Sequence, residues 1–304
     1  MTAELREPPM WLTGWAGPDV ADAAWDRHGS DFPMVPLFGT LPTAGARRYL
    51  WRYPRILLGG QDIENIPQQI GDCTSWGGKH AIEYRACQEI TAGGDEEAFH
   101  RVFAPWLYGI ARTVVGKGQI NLNGDGAAGI WVAVAANKYG ILAADAPNVP
   151  KYSGSVATAW GRSGPPREFY EFAMPQKIGV TRASSYEQVR DALATDCLVT
   201  VATQYIPQLG SVQRNNKHWM KLKWDANQGH MWTLIGVDDN ATDPGGYGLN
   251  SWGPDAHGKP LNGEPAGGAW MAADDIQRIC DKRGEVIIWS GLKGWPSGVE
   301  NVVG

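Results

Sequence analysis

The stretch IGDCTSWGG, residues 70–78, sets one cysteine among glycines and small polar side chains. Cysteine acts as a nucleophile through its thiolate. The thiolate needs an imidazole to exchange protons with and a third group to hold that ring in one tautomer. Six histidines could supply the base. His80 follows Cys73 by seven positions on the same expected helix, about 10 Å along its axis and too far to reach the sulfur. His230 opens the run HMWTLIGVDD directly after Gly229, and Asn250 ends the next apolar run, GYGLN, where its amide oxygen can accept from a ring N–H. Cys73, His230 and Asn250 are therefore the candidate catalytic residues.

The elements that would carry them can be read from periodicity. From Thr74 to Ile90 apolar and small residues recur at helical spacing and the glycines of TAGG end the run, which predicts a helix beginning at Cys73. A cysteine in that first turn faces unpaired N–H groups and the positive end of the helix, so its thiolate is expected to be stabilised. Residues 126–140 predict a second helix ending at Gly140, and SSYEQVRDALAT, 184–195, a third, opened by a serine cap. Beyond it, CLVTVATQY, HMWTLIGVDD, GYGLNSWG, GGAWMAADD and EVIIWSG read as short antiparallel strands, with IQRICDK an amphipathic helix. Helices early and strands late predict an α+β chain of two lobes, helical over about 61–180 and β-rich over about 181–290. Residues 1–60, rich in Pro, Gly and Trp with weak periodicity, read as an extended N-terminal arm with nothing catalytic in it.

The order of these motifs, G-D-C at a helix start, a G-H strand, then N-S-W-G, resembles the papain-like cysteine peptidases from about residue 65 to 275. The GDC triplet is similar to the calpain branch, and Thr74 resembles bacterial and phage-encoded members. The resemblance implies a papain-like fold with a helical left lobe, a β-sheet or barrel right lobe and a cleft between them. It makes Cys73 the nucleophile, His230 the base and then acid, Asn250 the group orienting the ring, and Trp252 the aromatic shield over the His–Asn bond. It also implies an oxyanion hole built from the nucleophile's N–H and an upstream Gln. The family's Gln stands six residues before the cysteine, where this chain has Pro67; Gln68 and Gln69 lie five and four before it. A one-residue deletion gives the role to Gln68, with Gln69 the weaker candidate. In an alternative register Trp76 takes the place of the family's Trp, Ser75 that of the nucleophile, and Gln69 stands six upstream, which would describe an inactive relative.

Composition bounds these readings. The 304 residues suffice for a large core, and four scattered cysteines (Cys73, Cys87, Cys197, Cys280) without a C-x-x-C pair argue for reduced thiols and no zinc or redox motif, the last three being structural. A net charge of −5 without a basic run argues against nucleic acid or an anionic membrane as partner. No signal peptide or transmembrane run is read, giving a cytoplasmic or virion-associated protein. No cofactor or metal is expected: NGDGAAG lacks the alternating oxygens of a calcium loop and reads as a turn. DDNATD, 238–243, reads as a hairpin loop, the arginines of AGARRYLWRYPR, 44–55, as a solvated face, and residues 204–225 as an insertion that could overhang the site. The expected function is a thiol hydrolase, a peptidase acting on a peptide or protein substrate. The alternative is an inactive papain-fold structural or assembly component, such as a phage virion part, contacting neighbours through residues 1–60; the arm's lack of helical periodicity, unlike an inhibitory pro-segment, leans that way.

Overall fold

The computed structural model describes residues 5–32, 38–93, 98–173, 177–224, 228–240 and 242–293. Asp225 and Ala241, inside two of the loops read above, and the first four and last eleven residues lie outside that set. At its centre is the helix Cys73–Gly93, buried from Cys73 to Ile90. A helix enclosed on all sides cannot show an apolar stripe. It carries charge only where charge is paired inside the turn: Lys79 with Glu83 at 2.6 Å and Arg85 with Glu89 at 2.7 Å.

The predicted second helix is α-helical over Gly129–Val134 and continues as a wider π-turn to Tyr139, stopping at Gly140 with φ +86°. The third runs Tyr186–Ala194, with the Ser185 hydroxyl accepting from Gln188 N. In the turn before the second helix, the carbonyls of Asn121, Leu122, Gly124 and Gly126 converge on the Arg112 guanidinium.

Among the described residues, Ile206–Pro207 pairs with Leu222–Lys223 in a separate two-stranded sheet, and the other nine strands form one open sheet that does not close into a barrel. Its order is Lys177–Arg182, Glu285–Lys293, Leu198–Thr203, His230–Asp238, Gly245–Leu249, Gly268–Ala272, Lys217–Trp219 and Val212–Arg214. Pairing is antiparallel except where Trp270 meets Trp219. The last three residues of the fourth run, read above as strand, instead open the helix Ala273–Asp281, which takes in most of IQRICDK. The central strand, His230–Asp238, is buried at all nine positions, which both faces of a covered sheet require. The long helix lies against it, with Thr233 Oγ1 donating to the Gly77 carbonyl at 2.8 Å. This is the α+β, two-lobed arrangement expected from the order of elements.

The first sixty residues are more structured than an extended arm. They contain the helices Pro18–His28 and Arg52–Leu57, and the strand Arg47–Tyr49 pairs with the central strand. The arginines of residues 44–55 are engaged within the chain: Arg47 with Asp238, Arg48 with Asp196, Arg55 with Asp62.

Candidate active site

The long helix and the central strand begin at the same place. Cys73 is the first residue of the helix and His230 the first of the strand, and the Cys73 sulfur lies against the backbone of Met231, the residue after His230. Asn250 follows the strand Gly245–Leu249, hydrogen-bonded neighbour of the central strand. Its Oδ1 lies 2.7 Å from His230 Nε2 and also accepts from Ser251 N at 2.8 Å. Trp252 stacks on the ring with centroids 4.4 Å apart, and Trp232 lies near-parallel to it at 5.9 Å. His230 Nδ1 is buried without a hydrogen-bond partner. The structure thus brings the His230 and Asn250 side chains into contact and sets the Cys73 sulfur against the residue that follows His230.

Of the two glutamines, only Gln68 turns inward. It is buried, its Oε1 accepts from Ser251 Oγ, and its Nε2 donates to Ile70 O at 2.7 Å and Leu12 O at 3.2 Å. Gln69 faces outward and accepts from Gly154 N at 2.8 Å. Ser75, the nucleophile of the alternative register, donates back to the Asp72 carbonyl at 2.8 Å within the first helical turn. His80 is buried beside Trp76, and neither ring nitrogen has a partner.

Pattern reading missed the occupant of the groove. Residues 10–16 run between the lobes as a strap. Gly14 N and Trp15 N donate to Gly229 O at 2.8 and 3.0 Å on the sheet side; Ala127 N donates to Gly14 O at 2.8 Å, and Ala16 N to Ala127 O at 3.0 Å, on the helical side. The Leu12 carbonyl accepts from both Gln68 Nε2 and Trp252 Nε1, the latter at 3.0 Å, and its side chain packs with Trp252 and Ala256. The approach is so close that a Cβ on Gly14 would sit 1.9 Å from the Gly71 carbonyl oxygen. Trp15 anchors the strap: its Nε1 donates to Glu285 Oε2 at 2.8 Å, on a carboxylate that also takes Trp25 Nε1, Gly129 N and Ile130 N. The signal for it lay in the glycines Gly14, Gly71 and Gly229, which single-chain periodicity does not connect.

This enclosure overturns the expected thiolate. Burial pushes the Cys73 thiol up to about 12, and the neighbouring Asp72 adds to the effect; the backbone N–H groups of Met231, Gly14 and Thr74 oppose it without prevailing. Asp72 is itself driven to about 8 by burial. Burial likewise lowers His230 to about 3, against the support of Asn250 and the nearby Leu12 carbonyl. The helix-end effect is worth about 1 kcal/mol or less at most sites, whereas full desolvation moves a pKa by several units. In this state both partners are neutral.

Solved structures with the same fold are cysteine proteases. Xylellain from Xylella fastidiosa superposes with a TM-score of 0.60 at 17% identity over 95% of this chain and 99% of that one. Procathepsin L 3 from the larval midgut of Tenebrio molitor gives 0.55 at 14% identity over 86% and 74%. ProCathepsin B S9 from Trypanosoma congolense gives 0.51 at 13% over 93% and 92%. At the level of sequence, no family model and no curated protein matches the chain. The chain has the papain-like fold.

Proposed function

We propose that this chain is a cysteine peptidase held latent by its own residues 10–16. The observation that carries the reading is the buried His230 ring, with Nε2 committed to Asn250 at 2.7 Å and Nδ1 unpartnered, at the strand start that meets the Cys73 sulfur. When the strap leaves, water and substrate reach the pair, the burial that keeps both neutral is relieved, and the thiol proton passes to His230 Nδ1. The thiolate attacks a peptide carbonyl. The oxyanion forms against Gln68 Nε2 and the Cys73 N–H, which at the first helical position has no acceptor within the helix. The imidazolium gives its proton to the leaving amine, and the deprotonated ring then draws a proton from the water that hydrolyses the thioester.

Latency is supported from two sides. Leu12 O takes Gln68 Nε2, one of the two donors that an oxyanion would use, and Gly14 N and Trp15 N saturate Gly229 O beside His230. Two of the similar structures are, by name, proforms of cathepsins. A purely structural component has no observation of its own here, because Arg6 to Ala16 bond to the chain's own groove and insertion.

Labelling with an epoxide-type thiol reagent and turnover of a peptide mixture test this. Trp15→Ala removes the strap's bond to Glu285 and is expected to label at Cys73 at least tenfold faster than wild type and to cleave peptides; Trp15→Ala with Cys73→Ala does neither. Labelling at Cys280 alone, or no turnover by the unlabelled Trp15→Ala chain when a parallel sample labels fully at Cys73, overturns the reading.

A further inference from the structure

A second imidazole stands behind the first. His257, in the loop between the strands Gly245–Leu249 and Gly268–Ala272, is wholly buried. Its Nε2 lies 3.1 Å from Asn250 Nδ2, and its Nδ1 lies 2.8 Å from the Gly210 carbonyl. The loop is fastened to the insertion at 204–225: Gly210 N donates to Ala256 O at 2.7 Å, and Ser211 Oγ to the His257 carbonyl at 2.6 Å. Trp252, stacked on His230, lies 6.0 Å from His257.

The hydrogen positions along this row follow by elimination. A carbonyl oxygen only accepts, so His257 Nδ1 carries a proton. In the neutral ring Nε2 then bears the lone pair and must face a donor. The Asn250 amide therefore presents its NH2 to His257 and its oxygen to His230, an orientation the Ser251 N–H independently requires. His230 Nε2 must then be protonated, and the lone pair falls on Nδ1. The proton pattern of the reacting ring is set from a backbone carbonyl two side chains away.

We propose that His257 is a positioning residue, whose ring fixes the Asn250 amide and through it the Nδ1-acceptor tautomer of His230. The proposal rests on the peptidase reading for its catalytic meaning, while the tautomer itself is a property of the folded chain. Outer partners that orient a metal-ligating imidazole are worth roughly ten- to a hundredfold when removed, and a loss at the lower end of that range is expected for an imidazole oriented at one remove.

Nitrogen-15 NMR of the histidine rings in the full chain tests the tautomer without any turnover, with His230 assigned by its loss in His230→Gln. Wild type is expected to show a protonated Nε2 and a lone-pair Nδ1 at His230. His257→Leu should broaden or mix the two forms, and His257→Gln, whose side-chain oxygen can accept from Asn250 Nδ2, should restore the wild-type pattern. In chains also carrying Trp15→Ala, His257→Leu should lower kcat about tenfold or more with KM within a factor of two. An unchanged His230 tautomer in a folded His257→Leu chain together with unchanged kcat overturns the proposal, as does a lost kcat without a change of tautomer. Absence of turnover in the Trp15→Ala parent, with the tautomers as stated, counts against the peptidase reading and not against the positioning role.

Discussion

At the residue scale, burial outweighs position. Cys73 stands at a helix start that favours its anion, yet burial holds both the thiol and the ring neutral. The motif therefore names the residues and not their protonation. The two glutamines show the same division. Both were legible as oxyanion candidates from their distance to Cys73, and the choice between them needs Ser251, far along the chain, whose hydroxyl and carbonyl hold Gln68 inward. In the Trp15→Ala chain, Gln68→Ala is expected to reduce kcat about a hundredfold, the usual loss for one oxyanion donor. Gln69→Ala, which gives up a bond to Gly154 N at the surface, should leave kcat within a factor of two. Equal losses in the two would place the oxyanion elsewhere. His257 had no legible signal: a lone histidine seven positions after Asn250 becomes meaningful only when the Gly210 carbonyl meets it.

At the scale of elements, the readable parts are those whose pattern is local. The serine cap at Ser185 and the glycine stop at Gly140 mark helix ends in the sequence, and alternation or apolar runs mark the strands. The strap was not legible because its bonds run from residues 12–16 to Ala127 and Gly229, and its own sequence, WLTGWA, has no period. Its seat is built of backbone brought into contact where side chains are missing. Gly14→Ala puts a methyl where the Gly71 carbonyl oxygen already stands, and Gly14 cannot yield without breaking its bonds to Gly229 and Ala127, nor Gly71 without straining its bond to Asp125. The segment should leave the groove, raising Cys73 labelling by an epoxide to the rate of Trp15→Ala or beyond while the unfolding temperature falls by only a few degrees. A Gly14→Ala chain that labels no faster than wild type would show that the segment does not gate the thiol.

At the scale of the whole molecule, enclosing the site leaves three imidazoles uncharged in the core, and that makes the fold sensitive to acid. His257 is lowered to about 4 and His230 to about 3, both by burial, and His80 lies well below its ordinary value for the same reason. From pH 6.5 down to about 4 the unfolded chain binds three protons on these residues that the folded chain does not, so stability falls as pH falls, by about 1.4 kcal/mol per pH unit for each. Asp72 acts in the opposite sense, since burial holds it at about 8 and it keeps a proton through this window that the unfolded carboxylate gives up. Glu285 is raised in the same direction by burial, though its four N–H donors favour the anion. The net uptake on unfolding is then between one and two protons, a slope of about 1.4 to 2.8 kcal/mol per pH unit. Urea titrations at pH 7, 6, 5 and 4.5, followed by tryptophan emission, measure it. His80→Leu separates the contributions: its ring nitrogens have no partners to lose, so the variant should be at least as stable at pH 7, and its slope should be shallower by one proton. A slope that His80→Leu leaves unchanged would mean that His80 is already charged in the fold, and that the acid sensitivity belongs to other groups.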